Sequence, residues 1–339
     1  MSEDVEAIRS LHALADLVTP MALRVFVSLG VPDAIDERPG TAPELACRCG
    51  CDARILRSVL DHLAARGVVT KEPDDTYGLT TLGRLTCDTD GPSLQSWLVG
   101  SLRLGTLRGD VDHSVVALLD VARSGRTALE EQHGESVWER VTRMDAGAAI
   151  QEFGRLVPVL DIEPIWRLLE AYPAATVCDV GAGSGRLAHE LLSGELCSFC
   201  HVVDLAPMVG VADTVLGHRF ATRYAAVAAD FMTDPLPEAD LYIVSDVLVD
   251  WDDARAVRLL RNVHGACRPD ARVLISELTL PSGAGDLFDP TAGRLRLNIE
   301  MPSPNRTVEA LVTLGRAAGL AEVSTACGEH RSAILFAPA

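Results

Sequence analysis

The sequence predicts an α/β protein: a doubly wound, mostly parallel sheet in the C-terminal half, preceded by a winged-helix domain and a helical connector. Three observations carry that prediction. From Ala175 onward, short apolar runs alternate with helical periods, as in a parallel sheet covered on both faces. The first run, Ala175 to Val180, enters a turn built on Gly181, Gly183 and Gly185, and Asp204 ends the next run. Before position 92 the order is helix, helix, hairpin instead. A chain of 339 residues is long for one core, and the expected boundaries are 1–92, 93–172 and 173–339.

Composition removes several function classes. Hydrophobic residues make up 48% and charged ones 23%, a globular balance, while the net charge of −18 argues against nucleic acid or an anionic membrane as partner. No apolar run approaches the roughly 18 residues of a membrane span, and MSEDVEAIRS has no basic segment ahead of an apolar one. A cytoplasmic protein is expected, so the nine cysteines read as reduced thiols. Cys47, Cys49 and Cys51 form C-x-C-x-C, and Cys197 and Cys200 form C-x-x-C. Neither has a second ligand pair at zinc spacing, and the latter two, on one expected strand, would point to opposite faces. No metal is expected.

From Val5 to Leu29 the apolar residues recur at helical spacing beyond what one domain buries, which predicts an interdigitated dimer. Thr41 and Glu44 form a capping box, and Asp52 caps a helix expected to turn Ile55, Val59, Leu60 and Leu63 inward. The stretch GVVTKEPDDTYGLTTLG reads as two strands around Pro73 to Asp75. A winged helix raises a DNA-binding regulator as the rival reading; Arg54, Arg57, His62 and Arg66 lie on its second helix, flanked by Asp52 and Asp61. Residues 91–173 are mostly helical by pattern, broken at Gly105, Gly125 and Gly134, and carry Trp97, His113, His133, Trp138 and Met144 as candidate pocket residues.

The glycine turn is the centre of the site. Glycine permits left-handed backbone and close ligand approach, and an acidic residue about twenty positions on is where a nucleotide-type site accepts ribose hydroxyls. A dinucleotide needs G-x-G-x-x-G, whereas here the third glycine comes one residue early and Asp179 precedes the turn. Such a carboxylate repels a pyrophosphate and suits a cationic or amino-acid-bearing nucleoside. Further candidates lie at the carboxyl ends of later strands: Leu205; Asp230 and Phe231 in ADFMTDPLP; Ser245, Asp246, Asp250 and Trp251 around VLVDWDD; and Glu277 in RVLISELTL. Two closing strands, Ala321–Ala326 and Ser332–Phe336, read as a hairpin that adds an antiparallel strand.

Together these motifs resemble the dimeric O-methyltransferases typified by plant caffeate enzymes and bacterial polyketide-tailoring enzymes, from about Ser10 to the C-terminus. The resemblance implies a Rossmann-like domain binding S-adenosyl-L-methionine through Gly181, Gly183, Gly185, Asp204, Leu205, Asp230, Phe231 and Ser245, with Trp251 closing over the adenine side. It also implies a homodimer and a small aromatic or polyketide acceptor oriented by Glu277 and Asn305. Two departures stand out. The plant enzymes read V-L-H-D-W with a basic His, where this chain has Val249, and they carry an acidic residue where it has Asn305 before Arg306. Asp246, Asp250, His113 and His133 are then the replacement bases to weigh. Alternatively, the chain keeps the cofactor for a hydroxylation, decarboxylation or pericyclic step.

Overall fold

A computed structural model describes residues 3–89, 95–100, 102, 106–153, 159, 161–278, 290–303 and 306–339. They form two compact units, Met1–His113 and Ser114–Ala339.

In the first unit, helices Glu3–Leu14 and Val18–Ser28 precede Val31–Glu37, Ala42–Cys49 and Ala53–Ala65. A three-stranded antiparallel sheet of Gly40–Thr41, Thr76–Leu79 and Val69–Lys71 completes it. Both expected caps form: Glu44 accepts from the Thr41 N–H at 2.8 Å, and Asp52 accepts from the Ile55 N–H at 2.8 Å. The face of Ala53–Ala65 differs from expectation, because Leu56, Leu60 and Leu63 are buried while Ile55 is 48% exposed. Leu56, Leu60 and Leu63 stand at i, i+4 and i+7, so Leu56 rather than its neighbour Ile55 takes the inward face. Ile8, Leu11, Leu14, Leu17 and Val18 are all exposed, an apolar face that this unit leaves uncovered. No single helix among the described residues is long and apolar enough to cross a membrane.

The second unit is organised by a seven-stranded sheet. Its elements are α1 (Glu163–Ala171), β1 (Thr176–Val180), α2 (Arg186–Ser193), β2 (Phe199–Asp204), α3 (Ala206–Phe220), β3 (Tyr224–Ala228) and β4 (Leu241–Ser245). There follow α4 (Asp253–Ala266), β5 (Arg272–Leu278), α5 (Val308–Ala317), β6 (Leu320–Cys327) and β7 (Arg331–Pro338). The strand order is β3-β2-β1-β4-β5-β7-β6, parallel except that β7 runs antiparallel to both neighbours. The apolar strands are buried because helices cover both faces: α4 and α5 pack on one, α1, α2 and α3 on the other. Strand order reverses between β1 and β4, which opens a crevice at their carboxyl ends.

Cys197 falls just before β2 rather than on it, and it packs in the same buried cluster as Cys200. The opposite-face argument therefore fails; burial instead pushes the Cys197 thiol up to about 11 and the Cys200 thiol well above the usual range. Gly125 and Gly134 end helices in left-handed conformation, as expected; Gly105 lies outside the described residues.

Candidate active site

β1 ends at Val180, and Gly181, Gly183 and Gly185 follow with φ of +74°, +59° and +77°. Side chains are excluded there for different reasons. A Cβ on Gly181 would meet Val247 Cγ2 at 2.6 Å, whereas one on Gly183 would point into open space. The turn is latched to β2: the Gly181 N–H donates to the Val203 carbonyl at 2.9 Å, and the Gly183 N–H donates to Asp204 Oδ2 at 2.7 Å. Leu205 N–H donates to the other oxygen, Oδ1, at 2.7 Å. Asp204 thus holds the loop and still has lone pairs for a ligand hydroxyl. Burial pushes its carboxyl up to about 6 against those two hydrogen bonds.

Behind the loop, Asp179 is 2% exposed, and its Oδ2 has no hydrogen-bond partner among the described residues. Burial, with the Asp204 charge adding to it, pushes this carboxyl up to about 7. On the far side, the Phe231 ring meets Trp251 edge-on at 6.4 Å, close to Gly181. Asn262 pins that corner by donating to the carbonyls of Phe231 and Asp234, each at 2.9 Å. The Trp251 indole N–H is buried without a partner among the described residues. Asp230 is exposed and accepts from the Met232 N–H at 2.9 Å. Open space at Gly183, an unused buried acceptor, an unused indole donor and an apolar ring pair fit a nucleoside carrying a cationic amino-acid tail.

The other corner is built from β4 and β5. Asp246 turns the chain at the end of β4 with φ +56°, unusual for a residue with a side chain. Both of its oxygens accept from the fully buried Arg331, at 3.0 and 2.8 Å, and Arg186 donates to Oδ2 at 2.8 Å. Ser245 Oγ also accepts from Arg331, at 3.2 Å. Leu248–Asp250 then forms a single 3-10 turn. Glu277 Oε1 caps it by accepting from the N–H groups of Val247 and Leu248, at 3.1 and 2.8 Å. Its Oε2 is buried and has no partner among the described residues, and burial plus the Asp246 charge hold this carboxyl well above the usual range. Arg306 donates to the carbonyls of Leu248 and Trp251, which fixes the turn from the other side. Asp250 is half-buried; burial pushes it up to about 8, although the nearby Trp138 indole acts to lower it.

The fold therefore gathers the candidates on one sheet edge in two groups, one around the glycine loop and one around Val249. Asn305 lies outside the described residues, as does the side chain of Trp97. His133 is exposed at a helix end. Sequence reasoning did not single out Arg186, Arg331, Arg306 or Asn262. Arg331 left one legible trace, a lone charge opening the otherwise apolar run RSAILFAP.

An O-methyltransferase domain profile matches residues 116–319, and an O-methyltransferase dimerisation profile matches residues 11–88. The chain belongs to the O-methyltransferase family. This O-methyltransferase is 35% identical to the 2,7-dihydroxy-5-methyl-1-naphthoate 7-O-methyltransferase of Streptomyces carzinostaticus, over 92% of each chain. It is 31% identical to the aclacinomycin 10-hydroxylase of Streptomyces purpurascens, over 93% of this chain and 84% of that protein. Among solved structures, an O-methyltransferase of neocarzinostatin biosynthesis in complex with S-adenosylhomocysteine and 1,4-dihydroxy-2-naphthoic acid superposes with a TM-score of 0.81 at 31% identity, covering 97% of this chain and 98% of that one.

Proposed function

We propose that this O-methyltransferase methylates a hydroxyl of a small aromatic or polyketide natural product, chiefly by holding the two reactants in line. The observation that carries the proposal is Val249. It sits in a turn fixed on both sides, by Glu277 and by Arg306, at the place where the resemblance calls for a basic imidazole. The turn is built with care, yet its central side chain takes no proton. A positioned base contributes about a hundred- to ten-thousandfold, or roughly 3–5 kcal/mol. Orientation of two reactants supplies roughly 7–11 kcal/mol. Proximity is the larger effect, and an acidic phenol needs the base least.

Bound at the glycine loop, S-adenosylmethionine supplies an electrophilic methyl group on a sulfonium. Gly181, Gly183, Gly185, Asp204 and Leu205 would hold the nucleoside, Asp230, Phe231 and Trp251 would enclose its base, and Ser245 would join the cofactor side from the end of β4. Glu277, whose Oε2 is unused among the described residues, orients the acceptor oxygen, and Asn305 joins it. Both Asp246 oxygens are engaged by guanidinium groups, which leaves Asp250 as the nearby carboxyl that could take up a proton, and then only in its ionised form, toward pH 8 and above. The helices of segment 114–172 line the acceptor side. The uncovered apolar face of Ile8, Leu11 and Leu14 supports a homodimer, and a chain of net charge −18 supports a small-molecule acceptor rather than nucleic acid or membrane, in the cytoplasm.

A second reading has its own support. The 31% identical aclacinomycin 10-hydroxylase is not named for methyl transfer, and Val249 suits a site in which no phenol is deprotonated. The two readings part on products. Incubation with S-adenosylmethionine and a phenol panel should yield methylated product and S-adenosylhomocysteine in equal amounts by mass spectrometry. Val249→His should raise the rate on weakly acidic phenols by about ten- to a hundredfold and leave acidic ones nearly unchanged. Acceptors that bind but never release S-adenosylhomocysteine would move the assignment to the second reading.

A further inference from the structure

Asp161 stands where the helical connector meets the sheet, just ahead of α1, and its backbone is left-handed with φ +52°. A residue with a side chain seldom takes that conformation, and it persists where the surroundings over-determine it. Here one carboxylate oxygen does the holding. Asp161 Oδ2 accepts from the N–H groups of His330 at 2.7 Å and Arg331 at 3.1 Å, across 169 and 170 positions of chain. The hairpin between β6 and β7 is shaped to receive it. Gly328 N–H donates to the Arg331 carbonyl at 2.8 Å, and a Cβ on Gly328 would collide with the Asp161 carboxylate.

Arg331 is therefore gripped at both ends. Its amide is fixed by Asp161, while its fully buried guanidinium donates to both Asp246 oxygens, at 3.0 and 2.8 Å, and to Ser245 and Ser276, each at 3.2 Å. Arg331 is also the first residue of β7, and strand ends fray unless something pins them. Pairing of β7 with β5 as far as Phe336 secures the sheet without Asp161, so what the pin adds is the placement of one guanidinium. Asp246 in turn opens the segment whose amides, at Val247 and Leu248, donate to Glu277, and Val249 follows. Ser332, next to Arg331, lies opposite Glu277 in the sheet. Both supports of the Val249 turn, Asp246 and Glu277, are thus reached from the hairpin end that Asp161 holds.

We infer that Asp161 is a positioning residue for the transfer step: it fixes Arg331, Arg331 fixes Asp246, and Asp246 sets the turn that presents Val249 to the acceptor. The inference rests on that turn facing the acceptor, as proposed above. No proton moves along this relay. It governs where the acceptor lies, and leaves the nucleoside to the backbone contacts of β1 and β2. Misplacement by about 1 Å costs on the order of a hundredfold in rate, and loosening shared over three links should cost about three- to tenfold.

Asp161→Gly tests this, because glycine adopts the left-handed backbone freely and only the carboxylate is lost. Hydrogen exchange of the full chain, read by mass spectrometry, should quicken about tenfold in peptides covering 328–331 and 246–250 and stay within about twofold across Val177–Gly185. With 1,4-dihydroxy-2-naphthoic acid as probe acceptor, kcat/KM should fall about three- to tenfold. Calorimetric affinity for 5′-methylthioadenosine, the cofactor's nucleoside without its amino-acid end, should stay within about twofold, which also shows that the variant is folded. Asp161→Asn keeps an acceptor oxygen and tolerates the backbone, so it should recover most of the loss. Gly328→Ala, which pushes the carboxylate off the hairpin from the other side, should reproduce it. In an Asp246→Asn/Arg331→Met background the relay is already cut, and Asp161→Gly should add less than about twofold, where a merely structural role would add in full. Faster exchange throughout the sheet, equal losses of turnover and nucleoside affinity, full additivity in that background, or unchanged exchange at 246–250 would each overturn the inference. If the exchange pattern is as expected but the unaltered protein methylates no phenol, the methyl-transfer reading falls and the relay stands.

Discussion

The two corners of the sheet edge are built on different plans. Around β1 and β2, the contacts that shape the site are backbone ones, or carboxylate to backbone, and they join segments about twenty residues apart: Gly181 to Val203, Gly183 to Asp204. Around β4 and β5, the shape comes from long side chains sent in from remote segments. Arg331 reaches Asp246 across 85 positions, Arg306 reaches Leu248 across 58, and Trp138 closes on Asp250 from a helix that precedes the sheet. Backbone geometry leaves little freedom to vary, whereas each remote side chain is a separate variable. A scaffold that keeps one ligand while changing its partner molecule would divide along this line.

The largest effect should come from the most committed of those side chains. Arg331→Met removes a fully buried guanidinium and leaves Asp246 with only the half-exposed Arg186. Breaking a buried pair from one side costs about 3–5 kcal/mol. Urea unfolding should register that loss, and the double variant Asp246→Asn/Arg331→Met should recover at least about 1 kcal/mol, since no buried charge is then stranded. Methylthioadenosine binding should survive in whatever fraction stays folded. A single-variant cost below about 1 kcal/mol would show that the β4–β5 corner does not depend on its remote side chain.

The same division explains what could be read from sequence. The glycine loop, Asp204, the alternation of strands and helices and the closing hairpin are local patterns, and each element lies within a few residues of its expected position. Most strand ends moved by one or two residues, as ends do. Ile55 was misplaced because helical spacing fixes the width of an apolar stripe better than its phase, and Leu56 competes for the same face. Cys197 was placed on a strand that begins two residues later. Arg186 and Arg331 went unseen for a deeper reason: an arginine announces its charge in sequence but not its partner, and the two partners of Asp246 arrive from α2 and β7. Asp250 was legible as part of a motif, while its tie to Trp138 was not.

Acidity offers a finer comparison, since the most raised aspartates of the two corners are Asp179 and Asp250. Burial sets Asp179 at about 7 and Asp250 at about 8. Both carboxyls hold protons more tightly in the folded chain than the roughly 3.9 of an unfolded one. As pH rises above about 4 the unfolded chain gives up these protons first, so stability falls until the folded groups have ionised as well, near pH 8. The ligand-free enzyme should therefore be more stable at pH 6 than at pH 8, by on the order of 1–3 kcal/mol in urea titrations. Asp250→Asn should flatten the slope from above about pH 4 up to about pH 8, and Asp179→Asn over the same rise but only up to about pH 7. A slope insensitive to both would mean that neither corner stores charge in this way.

The smallest effect should be at Asp230, where the β1–β2 plan reaches its outer edge. Its carboxylate is exposed, and it is already occupied with its own turn, accepting from Met232 N–H at 2.9 Å while its amide donates to Asp234 at 2.9 Å. The adjoining aromatic wall is held independently, through Asn262 and the Phe231 carbonyl. Asp230→Asn keeps the turn-capping oxygen and removes only an exposed charge, so stability should change by less than about 0.5 kcal/mol. If the carboxylate also accepts from a nucleoside amino group, calorimetry should show S-adenosylhomocysteine weakened about three- to tenfold, the worth of one charge-assisted hydrogen bond at a wet site. An unchanged affinity would confine Asp230 to its turn and leave recognition of the base to Phe231 and Trp251. A loss beyond a hundredfold would show that this corner, too, depends on a single side chain, and the contrast between the two halves of the sheet edge would narrow.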